Sequence, residues 1–119
     1  MAPKLLWSDT RRSNVPVAGV SVVEIPVPNG IYQVDCLNMV CIQASAAEAD
    51  EPDGMAKVGL IRNGLEISLG HRALDVFDPY LRTFPHILVD GQDKLYARID
   101  GQTSTANLIS TTVIGRRIA

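Results

Sequence analysis

A corner built around two prolines opens the most apolar stretch of this chain. The segment Ile25-Pro26-Val27-Pro28-Asn29-Gly30-Ile31-Tyr32 leads directly into residues 34–42, which are rich in apolar side chains. The prolines exclude a helix and remove two backbone N–H donors, and Asn29-Gly30 suits a tight turn of left-handed geometry. The sequence therefore predicts a long β-strand over residues 30–44 that begins at a stiff corner.

Alternation within this long strand changes phase near its middle. The apolar positions fall first on even and then on odd numbers, at Tyr32, Val34, Cys36, Leu37, Met39 and Cys41. A β-bulge near Cys36-Leu37 explains such a slip. The odd separation of Cys36 and Cys41 places their side chains on opposite faces, so the two should not pair. We expect two buried free thiols and a reducing compartment.

Strand and turn signals alternate along the rest of the chain. Asn63-Gly64 is typical of a two-residue hairpin turn, and it predicts the cross-strand pairs Arg62 with Leu65, Leu60 with Ile67 and Val58 with Leu69. Residues 80–89 form a strand interrupted by Pro85, and residues 106–114 form a last strand closed by Gly115. Between them, residues 94–99 alternate, with Leu95, Ala97 and Ile99 on one face and Lys94, Tyr96 and Arg98 on the other.

No long stretch carries apolar residues at helical spacing, so the pattern predicts an all-β fold. About eight strands with turns at this spacing indicate a two-sheet antiparallel β-sandwich. The N-terminus differs in character, with a short strand at residues 4–8 and a polar segment to Asn14. We divide the chain into an N-terminal arm, residues 1–16, and one sandwich domain, residues 17–119.

The arm holds the residues that we predict to bind a partner. Trp7 is the single tryptophan, and at this place it either caps the sandwich or anchors onto a neighbouring subunit. Arg11 and Arg12 follow on the same segment, which is able to drape over another protein. The alternative for the two arginines is a solvated, mobile terminus.

Composition restricts the class of partner. The chain has 119 residues, of which 46% are hydrophobic and 20% charged, which fits one globular domain. A net charge of -2 leaves no broad basic surface to neutralise a nucleic-acid backbone, so nucleic acid is not expected as a partner. No apolar run approaches the roughly 20 residues that span a bilayer, so no membrane partner is expected. Without a recognisable secretion signal, synthesis and assembly are expected in a cytoplasm.

No set of residues in the sequence points to catalysis, a metal or a cofactor. The loop at residues 45–55 carries four carboxylates in six positions, at Glu48, Asp50, Glu51 and Asp53, but the alternating ligand pattern of a calcium loop is absent. We expect a plain solvated acidic loop. His71 and His86 are isolated and occur in no nucleophile motif. A carboxylate pair from distant residues stays possible, which keeps a small hydrolase as one alternative.

Four segments, taken in order, resemble the trimeric jelly roll of tumour-necrosis-factor-like proteins and complement globular heads. The corner Pro26-Val27-Pro28-Asn29-Gly30-Ile31-Tyr32 is similar to the family's Pro-Val-Pro-Gly-Ile-Tyr corner, with one inserted Asn. Val58-Gly59-Leu60-Ile61-Arg62-Asn63-Gly64 is similar to its Val-x-Leu-x-x-Asn-Gly hairpin. Gly91-Gln92-Asp93-Lys94-Leu95-Tyr96 and the Ser/Thr-rich approach at residues 103–114 resemble the last two segments. The family's aromatic signature in the final strand is missing.

The resemblance implies a jelly-roll sandwich that self-associates, as a trimer. With its short arm and without a secretion signal, the chain looks like a bacteriophage head-decoration or cement protein. The function implied is therefore that of a non-enzymatic structural virion protein, whose partners are its own copies and the major capsid protein or another virion protein. The alternative is a receptor- or glycan-binding head of a viral fibre or spike, which would bind through loops 45–55 and 70–79.

Overall fold

The computed structural model of the chain describes residues 5–14 and 20–119. These residues form nine strands and a single-turn 3-10 helix at Glu48–Asp50. The strands are β1 (Leu6–Asn14), β2 (Val20–Pro26), β3 (Ile31–Ile42), β4 (Met55–Arg62), β5 (Leu65–Ala73), β6 (Tyr80–Thr83), β7 (Ile87–Asp90), β8 (Lys94–Asp100) and β9 (Leu108–Arg117).

The strands form two antiparallel sheets. The five-stranded sheet has the order β1-β9-β3-β6, with β7 also paired to β3, and the four-stranded sheet has the order β2-β8-β4-β5. If β6 and β7 are counted as one interrupted strand, eight strands are connected in the order of a jelly roll. The predicted all-β sandwich of jelly-roll type is therefore confirmed.

The core lies between the inner faces of the two sheets, as the alternation of apolar residues requires. Its fully buried side chains come from both sheets and include Ile25, Val34, Leu37, Val58, Leu95, Ile99, Ile109 and Val113. Each such side chain contributes about 1.5–3 kcal/mol when it leaves water. Leu95, Ala97 and Ile99 are all buried, so the predicted inward face of β8 is confirmed.

The predicted irregularity of the long strand is confirmed close to its expected place. The register of β3 against β9 shifts between Val34 and Cys36, so Asp35 is the extra residue of a β-bulge. The same bulge faces the break between β6 and β7, where Phe84-Pro85-His86 separates two four-residue strands. His86 has a φ of 49°, which is unusual for a residue with a side chain. The bulge and the break therefore occur side by side.

The Asn63-Gly64 hairpin forms as predicted near its turn and deviates further away. Both turn residues have positive φ, 53° and 76°, and the pairs Arg62 with Leu65 and Leu60 with Ile67 are present. Beyond them a register shift inserts one residue, and Val58 pairs with Gly70. The expected pair of Val58 with Leu69 is therefore wrong, because a second bulge lies in the hairpin.

Two strand ends differ from the expectation. The polar segment before Asn14 belongs to β1, which pairs with β9 along its whole length, so the strand predicted to stop at residue 8 is longer. Gly115 does not close β9 either, since the strand continues to Arg117. A Cβ at Gly115 would lie 2.2 Å from the Gln33 carbonyl oxygen, so the glycine permits a close approach of two strands. The division at residue 16 stays a prediction, since residues 15–19 lie outside the described part.

Candidate association surface

The outer face of the four-stranded sheet carries many charged side chains, and its acidic and basic groups pair with one another. Three acidic side chains, three basic side chains and one histidine point outward from β2, β8, β4 and β5. They are Glu24, Asp100, Glu66, Lys94, Arg98, Lys57 and His71. Arg98 contacts Asp100 at 2.8 Å and Glu66 at 3.1 Å, and Lys94 contacts Glu24 at 3.3 Å. Exposed pairs of this kind add little stability, but they keep a surface well hydrated. This face suits contact with solvent.

Tyr96 is the exception on that charged face. Its side chain points outward as predicted, yet the residue is only 1% exposed. The neighbouring position on β4 is Gly59, and a Cβ there would lie 2.7 Å from the Tyr96 ring. The ring therefore fills the space that the missing side chain leaves. Burial is the main cause that raises the pKa of Tyr96.

The outer face of the five-stranded sheet has a different chemistry. Strand register aligns its outward side chains in rows across β1, β9, β3 and β6. One row consists of Thr10, Thr112, Asn38 and Arg82. The adjacent row consists of Arg12, Ser110, Val40 and Tyr80. In both rows the two central strands carry only uncharged residues. We call the outward side chains of these rows, together with Cys36 and Ile114, the association face.

Apolar side chains extend the association face toward one end of the sheet. Leu6, Ile31, Leu88 and Ile114 point outward there, because each alternates with an inward neighbour. Leu6 is 88% exposed and Leu88 57% exposed. Leu6 and Leu88 share a row in which Arg116 and Gln33 lie between them, so they do not form one apolar patch. Ile114 directly adjoins the uncharged strip, and a low density of charge at the centre of a surface is typical of a protein interface.

Charged groups occur at the margins of the association face. Arg82 stacks on the Tyr80 ring with its guanidinium carbon 5.0 Å from the ring centroid, and Arg72 lies 5.3 Å from the same centroid. A shallow groove of about 310 Å³ lies beside this stack, between Tyr80 and Thr112. Arg72 is neutralised by Asp78 at 3.0 Å, so Arg82 supplies the positive charge at this margin, and the two rows are neutral on the central strands.

A second charged group is built around the bulge residue Asp35. Its carboxylate accepts hydrogen bonds from Gln33 Nε2 at 2.8 Å and from Arg116 Nε at 3.2 Å, and His86 Nδ1 lies 3.6 Å away. The Arg116 guanidinium is the main cause that lowers the pKa of Asp35 below its ordinary value. Because Arg116 and Asp35 pair with each other, this corner of the sheet adds little net charge.

The three side chains predicted to bind a partner lie on β1 but do not converge. Trp7 faces the core, where its ring lies 4.9 Å from that of Tyr32. Arg11 is exposed and pairs with Asp9 at 3.1 Å, which raises the pKa of Arg11. Arg12 belongs to the association face, opposite Ser110. Trp7 therefore covers the core of its own chain, and partner binding by the three residues stays a prediction.

The acidic loop is less solvated than expected. Asp50 accepts a hydrogen bond from Ser104 Oγ at 2.7 Å, and Asp53 accepts one from the backbone N–H of Thr103 at 2.8 Å. Asn107, fully buried, donates from Nδ2 to the Asp50 carbonyl oxygen at 2.8 Å. These carboxylates thus hold two loops together. In the described part of the chain, no group of three or more His, Cys, Asp or Glu side chains is arranged to hold a metal ion.

The cysteines differ in burial. Cys41 is buried and contacts the Gln102 side chain, and burial is the main cause that raises the pKa of its thiol. Cys36 is only partly buried, so the expectation of two buried thiols is wrong for it. Both are free, and they lie on opposite faces of β3 as predicted.

Neither a family profile nor a curated protein sequence matches the chain. Among solved structures, a chain from turnip yellow mosaic virus is similar, with 12% identity, a TM-score of 0.46 and coverage of 98% of this chain and 94% of that chain. A decameric BFDV capsid protein is also similar, with 8% identity, a TM-score of 0.37 and 98% of each chain covered. Sequence identities this low show no relationship between these proteins and this chain. The fold is defined by the order of the strands in its two sheets.

Apart from Arg12, the residues of the association face were not predicted from the sequence. Their signal was the run of small and uncharged side chains in Ser110, Thr112 and Asn38 at alternate strand positions, but only the register shows that they share rows. In the described residues, no helix has the length and apolar composition that a membrane crossing requires.

Proposed function

We propose that this protein is a non-enzymatic structural component of a virion that self-associates, as a trimer, through its association face. The observation that carries the proposal is the contrast between the two outer faces of the sandwich. One face bears a network of alternating charges, and the other bears a neutral strip with exposed apolar side chains at its end. Interfaces between subunits are depleted of charge at their centre, which fits the second face.

The proposal includes the role of a bacteriophage head-decoration or cement protein. The self-associated jelly rolls would bind the major capsid protein, and many modest contacts would sum to tight attachment to the shell. We assign this docking to β1, with Arg11 and Arg12 as the charged contacts, because both side chains are exposed at the edge of the sheet. Because residues 6–14 are part of a sheet and Arg12 also belongs to the association face, Arg11→Ala tests docking more cleanly than a deletion of the strand or a substitution of Arg12.

The proposed self-association is tested by placing one charge on each outer face. Thr112→Arg puts a guanidinium at the centre of the association face, and Ser68→Arg puts the same group on the charged face as a matched control. Size-exclusion chromatography with light scattering should show that Thr112→Arg reduces the oligomer to monomers and that Ser68→Arg leaves it intact. Equal masses for the wild type and both variants would contradict the proposal.

A glycan- or receptor-binding head is the second candidate function. The groove beside Tyr80 favours it, because Asn38, Ser110 and Thr112 supply an amide and two hydroxyl groups and Arg82 a cation. Such groups recognise the hydroxyl and carboxylate groups of acidic sugars. A glycan panel probed with the wild type and with Arg82→Ala separates the two functions. Binding that Arg82→Ala abolishes would favour the recognition role.

A further inference from the structure

Strand β1 has one side of its backbone without a partner strand. It lies at the end of the five-stranded sheet, and its pairing with β9 is regular from Leu6 to Asn14. Among the described strands, only β9 pairs with it. A strand in this position presents a row of backbone N–H and C=O groups along its outer side, and such a row can receive another strand. We call this side of β1 the open edge.

The geometry of the ladder shows which residues present their backbone groups at the open edge. The backbone N–H of Arg117 donates to the Leu5 carbonyl oxygen at 2.8 Å, so these two residues form a hydrogen-bonded pair. Hydrogen-bonded and non-hydrogen-bonded pairs alternate along an antiparallel ladder, so the odd-numbered residues of β1 direct their backbone groups toward β9. The N–H and C=O groups of Ser8, Thr10 and Arg12 therefore point to the open edge.

The open edge lacks the features that usually protect the edge of a sheet. The other edges of the two described sheets have them, because β2 ends at Pro26, β5 contains a register shift, and β6 and β7 have only four residues each. By contrast, β1 has nine residues and contains no proline, lysine or bulge. Of the described edges, that of β1 is therefore the best suited to pairing with another chain.

The sequence of β1 is complementary to itself in one antiparallel register. When two copies pair around a two-fold axis at Thr10, Ser8 lies opposite Arg12 of the other copy and Asp9 lies opposite Arg11 of the other copy. Each Asp9 carboxylate then has a guanidinium group directly across from it. A shift of the axis by one residue places Asp9 opposite Asp9, or Arg11 opposite Arg11, and like charges in opposite positions destabilise a pair of strands.

We propose that β1 of one copy pairs with β1 of a second copy in antiparallel orientation, with Thr10 on the two-fold axis. The two five-stranded sheets then form one continuous sheet across both copies. Asp9 and Arg11 already form an ion pair within one chain, at 3.1 Å, so they carry no net charge that attracts a partner. Backbone hydrogen bonds provide the attraction, and the two charged side chains select the register. This self-complementary register identifies a second copy as the occupant.

This contact goes beyond the proposed function, because it uses the backbone edge of β1 and not the association face. It buries few apolar side chains, so it should be weak, with a Kd of about 0.1 mM or higher. In dilute solution it therefore adds nothing to the oligomer that the association face forms. Copies that are held close together on a shell form it more readily, because their effective concentration is high.

The contact is measured in the Thr112→Arg variant, in which the association face is blocked. Across the paired strands, the two new guanidinium groups are three strand spacings apart, about 14 Å, which exceeds the Debye length at about 0.15 M salt. Sedimentation equilibrium should show monomers at about 10 µM and a rising fraction of dimers toward about 1 mM. Amide hydrogen exchange should slow at Ser8, Thr10 and Arg12 only at the higher concentration, whereas Asp9 is protected by β9 at both.

Two charge reversals in the same background test the register. Asp9→Arg and Arg11→Asp each place like charges opposite each other, so each variant alone should associate at least about tenfold more weakly. A mixture of the two places unlike charges opposite each other, so dimers with one copy of each should form. Glu48→Arg makes the same change in net charge on an exposed loop, and it should leave the association unchanged.

Ser8→Pro tests the backbone contact. Proline removes an N–H group that points to the open edge and leaves the hydrogen bonds to β9 in place, which an edge strand tolerates. The melting temperature should stay close to that of the parent, while dimers are lost. Because both arginines assigned to docking are retained, the variant also separates this contact from docking.

Three results would overturn the inference. The first is a Thr112→Arg variant that stays monomeric at the higher concentration without slower amide exchange at Thr10. The second is a mixture of the two charge variants that associates no better than each one alone. The third is a folded Ser8→Pro variant that forms dimers as readily as its parent does.

Discussion

Arg62 and Asp93 form a two-point ion pair that joins the end of β4 to the turn before β8. Arg62 Nε donates to Asp93 Oδ1 at 2.9 Å, and Nη2 donates to Oδ2 at 2.8 Å. The Asp93 side chain is only 2% exposed, and it also accepts the backbone N–H of Asp90 at 3.0 Å. Because Arg62 Nη2 also binds the Leu88 carbonyl oxygen on β7, this pair connects the two sheets.

The ion pair predicts a pH-dependent part of the stability. The Arg62 guanidinium is the main cause that lowers the pKa of Asp93 below 3.8. Stability from the pair is therefore complete above pH 3.8, the pKa of the unfolded state, and is lost as the pH falls through the lower pKa of the folded state. Asp93→Asn should lower the free energy of unfolding at pH 7 by about 2 kcal/mol, an amount reduced by the partial exposure of Arg62.

Urea denaturation at pH 7 and at about pH 3 measures this effect. The difference between wild type and Asp93→Asn should shrink at the lower pH. Glu24→Gln, which breaks the exposed pair with Lys94, is the control and should change stability by less than about 0.5 kcal/mol. A difference between wild type and Asp93→Asn that is constant with pH would contradict the assigned role of the carboxylate.

Gly115 should not tolerate even a methyl group. Gly115→Ala places its Cβ about 2.2 Å from the Gln33 carbonyl oxygen, which is backbone and cannot rotate away. The variant should lose about 3 kcal/mol of stability, since β3 and β9 have to separate locally. Thermal unfolding compares it with Ser68→Ala on the exposed face of β5, which should be nearly neutral. An unchanged melting temperature for Gly115→Ala would show that the strands adjust freely.

Asn107 should control the order of the acidic loop. Its side chain donates to the Asp50 carbonyl oxygen and accepts the backbone N–H of Ala44 at 2.9 Å. Asn107→Ala leaves both groups without this partner, which should cost about 2 kcal/mol and speed proteolysis within residues 45–54. Glu48→Ala on the same loop is exposed and serves as the control. Equal cleavage rates for the two variants would exclude this role of Asn107.

Thiol labelling reports whether the association face is covered. Cys36 lies on that face and is partly exposed in the single chain, whereas Cys41 is buried on the other side of β3. In the wild type, Cys36 should therefore label slowly, and Thr112→Arg should make it label faster. Cys41 should label only after unfolding in both proteins. Fast labelling of Cys36 in the wild type would mean that the face is open to solvent.

Local chemistry made much of the fold predictable from the sequence. Asn63-Gly64 needs positive φ at both positions, so the hairpin near Arg62 and Leu65 followed directly. The change of phase near Cys36 revealed a bulge for a similar reason, because an extra residue moves every later side chain to the other face. Alternation likewise identified the buried face of β8.

Long-range partners explain what the sequence did not reveal. The polar segment before Asn14 is a strand because β9 supplies its hydrogen bonds, and nothing local in an edge strand requires apolar residues. Asp50 binds Ser104, more than fifty positions away in the sequence, so loop 45–55 looked solvated when read alone. The association face could not be predicted for the same reason, because only strand register brings Thr10, Thr112 and Asn38 into one row.

Sedimentation equilibrium of the full chain tests the central claim most directly, because a neutral face that binds its own copies has to raise the mass in solution. The account predicts a mass about three times the 12.9 kDa of one chain, which falls toward the monomer value in Thr112→Arg but not in Ser68→Arg. A wild-type protein that stays at the mass of one chain up to high concentration would contradict it.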